Sequence, residues 1–228
     1  MLKELLAIFR KDSMLDTAFR QSYEMLDITK QMFLKARRTL RETDSVDLET
    51  SVYELDKKVN KYQREVRREV LQYLSVAGME RLASGLNLIS IIIDLERIGD
   101  YTKNIVELAE SHHARLNAGD REEDLRRIET ALEEAFDRIR KVLENSDDKE
   151  AEALIKDYLW LNPLCDKQVQ RFLKEEDESL SRRSAVALAL YFRFLKRIHS
   201  HLRNIATTVY RPFHKTGFIP SKTKNQLG

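Results

Sequence analysis

One cysteine, three prolines and six glycines in 228 residues leave this chain little with which to staple, break or sharply turn its backbone. A lone Cys165 excludes an internal disulfide and fits a reducing, cytoplasmic setting. So few breakers favour long helices, and no strand-like alternation of period two is present. No window approaches 18 uninterrupted apolar residues, so no membrane-spanning helix is expected. The opening MLKELLAIFRK interrupts its apolar run with charges, which argues against a signal peptide. It is amphipathic, with Leu2, Leu5, Leu6 and Phe9 on one side, so membrane contact is at most peripheral. Basic and acidic residues balance at 40 against 38, and no global field points to nucleic acid.

Enzyme signatures are missing as well. There is no Walker-type glycine loop and no Gly-x-Ser-x-Gly elbow. A di-iron carboxylate bundle needs Glu-x-x-His on two helices, and the chain offers one, Glu110 to His113. A non-enzymatic protein is expected.

What remains is helix-forming. Apolar residues make up 42% and charged residues 34%, the profile of helices with charged outer faces. Apolar periodicity predicts six long helices: 14–41, 47–75, 81–113, 121–145, 148–177 and 180–210. Asp44 or Ser45 is a candidate N-cap for the second. Pro163 should kink or split the fifth. RLNAGDREED, with its turn residues, reads as the linker between two groups of three. The expected domains are an N-terminal amphipathic segment (1–13), a first three-helix repeat (14–116), a second (121–210) and a flexible basic tail (211–228).

The two halves can be laid on each other. At an offset of 100, LERIGDYTKNIV (95–106) meets LKRIHSHLRNIA (195–206), pairing Leu95/Leu195, Arg97/Arg197, Ile98/Ile198, Asn104/Asn204 and Ile105/Ile205. At nearly the same offset Glu65 meets Asp166. Two matches in register on corresponding helices favour a tandem repeat.

The stretch IIIDLERIGDYTKNIVELAE (91–110) carries the chemistry. At 100° per residue, Ile91, Leu95, Ile98, Thr102 and Ile105 share one stripe. Glu96 and Asp100 fall on roughly the opposite side with Lys103 and Glu107, so they are expected to point outward. Like charges at i, i+4 repel, and Gly99 between them weakens the helix. Two readings stay open: a solvated face with Lys103 neutralising Asp100, or a cation held by oxygen ligands. Glu65, 31 residues upstream, is a candidate further ligand, although REVRREV reads equally as a salt-bridged face.

DLERIGDYTKNI closely resembles the signature of the PhoU family, bacterial regulators of phosphate uptake. The resemblance implies an all-α fold, a tandem pair of three-helix bundles. It implies a face that binds iron or zinc through Glu96, Asp100 and Asn104, to which the spacing argument adds Glu65 as a candidate. It also implies a cytoplasmic regulator, often a homodimer, whose partners are a phosphate ABC transporter and a sensor histidine kinase. A metal-binding accessory protein of a different ion transporter is the alternative. The second half departs from the pattern: Lys196 and Ser200 stand where the second acid pair belongs, although Asp166 and Asn204 remain. A protonated Lys cannot ligate a metal, so one metal-capable face is expected. His199 and His201 beside it are expected to be structural.

Overall fold

The structure, a computed structural model, describes residues 15–43, 49–77, 81–112, 114–174 and 180–217. Seven α-helices lie within them: α1 Asp16–Glu42, α2 Glu49–Ala77, α3 Leu82–His112, α4 Glu122–Asn145, α5 Asp148–Asp157, α6 Leu161–Lys174 and α7 Arg182–Tyr210. There is no strand among the described residues. The amphipathic segment 1–13, the cap candidates Asp44 and Ser45, His113 and the tail beyond 217 lie outside them.

The segment expected as one fifth helix is two. Residues 158–160 form a turn, and Pro163 is the third residue of α6. There its missing N–H has no intrahelical acceptor to lose. Caps fix other boundaries: the Asp147 carboxylate accepts from the Lys149 and Glu150 N–H groups, and the Ser181 hydroxyl accepts from Ser184.

Helices α1–α3 form one bundle and α4–α7 the other, with α3 and α7 packed antiparallel at the centre. Asp94 meets His201, Tyr101 meets Phe194 and His112 meets Ser184 along that seam. The burial pattern repeats with the sequence: positions 91–106 and 191–206 match one for one in burial class. A second seam joins α1 to α4, also antiparallel. Ion pairs Asp27–Arg140, Lys30–Asp137 and Arg37–Glu133 flank the stacked rings of Phe33 and Phe136. One apolar core runs through both bundles.

The linker is tightly held rather than loose. The Leu116 N–H donates to the Leu40 carbonyl at 2.9 Å, and the Leu116 carbonyl accepts from Arg41. Leu116 and Ala118 are buried, and Gly119 makes the turn at φ 58°. Residues 211–217 run back along the end of α7. The N–H of Gly217, at φ 76°, donates to the Thr207 hydroxyl at 2.7 Å.

Candidate functional site

The acid pair on α3 stands beside α2, not away from its bundle. α3 is held on three sides, by α1, α2 and α7, so the sector left to Glu96 and Asp100 adjoins α2. Glu96 is 22% exposed and Asp100 37%. Asp100 and Asn104, but not Glu96, line a cleft of about 430 Å³ with Tyr53, Asp56, Arg97, Tyr101, Lys103 and Glu107. Burial, and then the Asp100 carboxylate one turn away, hold Glu96 above the usual carboxylate range.

Lys103 sits in the middle of the acids. Its Nζ lies 3.0 Å from Asp100 Oδ1 and 3.0 Å from Oδ2 of Asp56 on α2, and Asn60 donates to the same Oδ2 at 2.9 Å. Burial alone would lower the Lys103 pKa, but the hydrogen bonds to Asp100 and Asp56 outweigh it and raise it. The ammonium therefore stays charged and occupies the place a cation would take.

Glu65, the fourth candidate, is turned elsewhere. It lies nine residues from Asp56, about 180° around the helix. Its carboxylate accepts from Gln21 of α1 at 2.9 Å and pairs with Lys61 at 3.8 Å. The α2 residue that reaches α3 is Asp56, which the spacing argument missed. Its signal was a 3.6-residue phase that places Asp56 beside Val52 and Val59 on the buried face of α2.

A metal centre fits this set poorly. Among the described residues no three His, Cys, Asp or Glu side chains gather closely enough to hold an ion, and the acids nearest to doing so already share an ammonium. Asp56 Oδ1 has no hydrogen-bond partner, but it lies against Gly99, 3.7 Å from where a Cβ would be. The second repeat repeats the theme: Lys196, at the place of Glu96, binds both oxygens of Asp166 at 2.6 and 2.5 Å.

Gly99 does not make room for a ligand either. It is buried against Met32, Asp56 and Val59, and a Cβ there would stand 3.6–3.9 Å from them, an ordinary contact distance. Gly85 differs, since its Cβ would come within 2.9 Å of Leu74 and 3.0 Å of Val70. Gly99→Ala is therefore expected to fold and to gain up to about 1 kcal/mol from helix propensity. Chemical denaturation checks it; a loss of similar size would mean the packing here is tighter than the distances show.

Both histidines are structural. His199, at the place of Gly99, is 2% exposed and its Nδ1 lies 2.8 Å from Asn162 Oδ1. Burial pushes its pKa down to about 3, with Arg203 adding to the effect. A pKa below the unfolded value of about 6.5 means the unfolded chain binds the extra proton first. Stability from neutral His199 is thus present above that value and lost as pH falls toward 3. The drop in unfolding free energy between pH 7 and pH 5 is expected to be smaller in His199→Gln; an equal drop would contradict the assignment. His201 Nδ1 lies 2.7 Å from Asp94, and its ring stacks on Tyr101 at 5.8 Å between centroids.

The most connected polar site lies where the repeats join. Arg41 of α1 donates Nε to Glu129 of α4 at 3.2 Å, and other guanidinium N–H groups donate to Glu122 and to the Leu116 carbonyl. The Tyr191 hydroxyl of α7 donates to the same Glu129 at 2.8 Å. Arg37, Arg41, Arg115 and Arg126 line the adjoining cavity of about 570 Å³ with Glu42, Glu122 and Glu129. Cys165 is 1% exposed, and burial, then Asp166, push its thiol up to about 12, which leaves no reactive thiolate.

The fold is a tandem pair of helical bundles. Residues 23–109 match the PhoU domain. The structure of the chain is similar to PhoU from Pseudomonas aeruginosa, with a TM-score of 0.74 and 21% identity, covering 87% of this chain and 96% of that one. It is also similar to the phosphate transport system regulatory protein PhoU from Streptococcus pneumoniae, with a TM-score of 0.75 and 14% identity, covering 87% and 94%. No curated protein sequence matches the chain significantly.

Proposed function

We propose that this protein is a non-enzymatic regulator of phosphate uptake and phosphate signalling. It acts at the cytoplasmic side, as a homodimer, through contacts with a phosphate ABC transporter and a sensor histidine kinase. The observation that carries this reading is the PhoU domain at 23–109 set in a fold that spans nearly the whole of two PhoU chains. Long helices with charged outer faces supply rigid docking surfaces, and rim charges favour fast, selective encounter. No helix among the described residues is long and apolar enough to cross a membrane, which suits a partner that docks onto a transporter from outside the bilayer. Metal has no part in the proposal, because Lys103 and Lys196 already neutralise the acids that would hold it.

Deleting the gene tests the reading. Expression of phosphate-starvation genes is expected to change in phosphate-replete cells and to return when the gene is restored. Unchanged expression would sink it and would favour service to a different ion transporter.

A further inference from the structure

The outward face of α2 carries a row of cations that the fold does not need. Lys57, Lys58, Lys61, Arg64, Arg67 and Arg68 are all exposed, and among the described side chains of the helix the one exposed acid is Glu54. Lys57 pairs with Glu54 at 2.6 Å and Lys61 with Glu65 at 3.8 Å, while among the described residues Lys58, Arg64, Arg67 and Arg68 make no ion pair within 4.0 Å, Arg67 and Arg68 acting only at longer range on Glu96 and Glu69. Lys57, Lys61, Arg64 and Arg68 stand at i, i+4, i+7 and i+11, a straight line about 16 Å long. Leu71 continues it at i+14 and is 71% exposed; Val76 beyond is 74% exposed.

The second repeat is the internal control. Laying buried Val59, Gln63 and Val66 on buried Leu161, Cys165 and Gln168 puts the six cations on Leu159, Trp160, Pro163, Asp166, Val169 and Gln170. None is basic, yet the bundle forms. Leu71 falls on Leu173, which is likewise exposed, at 73%. The apolar end is common to both repeats; α6 carries a shorter basic set at other positions, Lys167, Arg171 and Lys174, of which Arg171 pairs with Asp120, whereas the six-residue row belongs to α2.

We propose that this row is the docking surface for an acidic amphipathic helix of a partner protein. Carboxylates at the same i, i+4, i+7, i+11 spacing would face the cations, and an apolar residue one turn further would cover Leu71. Opposite charges in register are how paired helices choose partners and orientation. A membrane suits the row less well. The apolar face of α2, with Val52, Val59, Val66 and Val70, is spent in the core, which leaves only Leu71 and Val76 to insert. A flat anionic surface would also press on Glu54 and on the acids of the α3 cleft, which a narrow helix avoids. The proposal adds a surface to the regulatory reading above. Its test reads binding alone, so it can fail while that reading stands.

The test uses the full chain and a capped alanine-based helical peptide with Glu at i, i+4, i+7 and i+11 and Leu at i+14. A second peptide has the same composition with the Glu residues off that spacing. Tight-register binding is expected, at least about tenfold stronger for the first peptide and weakened by added salt. K61E/R64E/R68E should lose at least about tenfold, and the neutral K61Q/R64Q/R68Q an intermediate amount. Circular dichroism should show both folded, and Lys141→Glu on α4 should bind as the wild type does. Failure of the wild type to bind, equal binding of the two peptides, or unchanged binding after charge reversal would overturn the proposal. So would binding to phosphatidylserine vesicles that the first peptide cannot displace, which would reassign the row to a membrane.

Discussion

Arg41→Met is expected to destabilise the protein by about 3–5 kcal/mol at neutral pH. Arg41 and Glu129 are 9% and 7% exposed at their side chains, and removing one member of so buried a pair strands the other's charge. Methionine keeps the apolar stem, so the loss reports the guanidinium. Three groups would each lose a donor together: Glu129, which keeps the Tyr191 hydroxyl, Glu122, which keeps Arg126 and the Ala118 N–H, and the Leu116 carbonyl that fixes the linker. The deficit should also depend on pH in a defined direction. Burial holds Glu129 above its ordinary pKa, and Arg41 and the Tyr191 hydroxyl only partly oppose it. An acid with a raised folded pKa contributes stability below its unfolded value and loses it as pH rises through the folded one. Without Arg41 that folded pKa climbs further, so the deficit should be largest at neutral pH and shrink as Glu129 takes up its proton. Urea titrations across pH 4.5 to 8 read this, and a small, pH-independent loss would show that the junction does not rest on this pair.

Lys103→Met is expected to cost about 2–3 kcal/mol. The penalty comes mainly from Asp56, which is 8% exposed and would keep only the Asn60 amide on Oδ2. Asp100, 37% exposed, remains hydrated and adds little. Asp56→Asn in the same chain should recover most of the loss, since a neutral amide needs no counter-charge. The same variant speaks to metal. Asp56, Asp100 and Glu96 do not gather closely enough to hold an ion, so zinc retained after dialysis should stay at background in the variant as in the wild type. Zinc above background in both, at a level abolished by Asp100→Ala, would instead show that a metal coexists with Lys103.

Much of this was legible from residue order. Helix spans, the two-bundle plan and the offset of 100 rest on apolar periodicity, which depends on each residue's own type. The matching burial of 91–106 and 191–206 is the same signal seen in space. What could not be read were the relations between helices. Glu65 and Asp56 are both acids on α2 within reach of α3 by chain length, and only the rotation of α2 decides between them. Gly99 looked like a companion to the acid pair because His199 replaces it where the acids are also lost. In space it is an interior position in both repeats, filled by Asp56 and Met32 in one and by the imidazole on Asn162 in the other. Arg41 and Glu129 are 88 residues apart, and nothing local marks either as buried.

The central claim is regulation of phosphate uptake, and the most direct measurement is the uptake rate of radiolabelled phosphate in phosphate-replete cells. Rates would be compared in the parent strain, in a strain lacking this gene, and in that strain with the gene returned. PhoU-type regulation predicts a rate that changes on deletion and is restored by the wild-type chain. Identical rates in all three strains would contradict it.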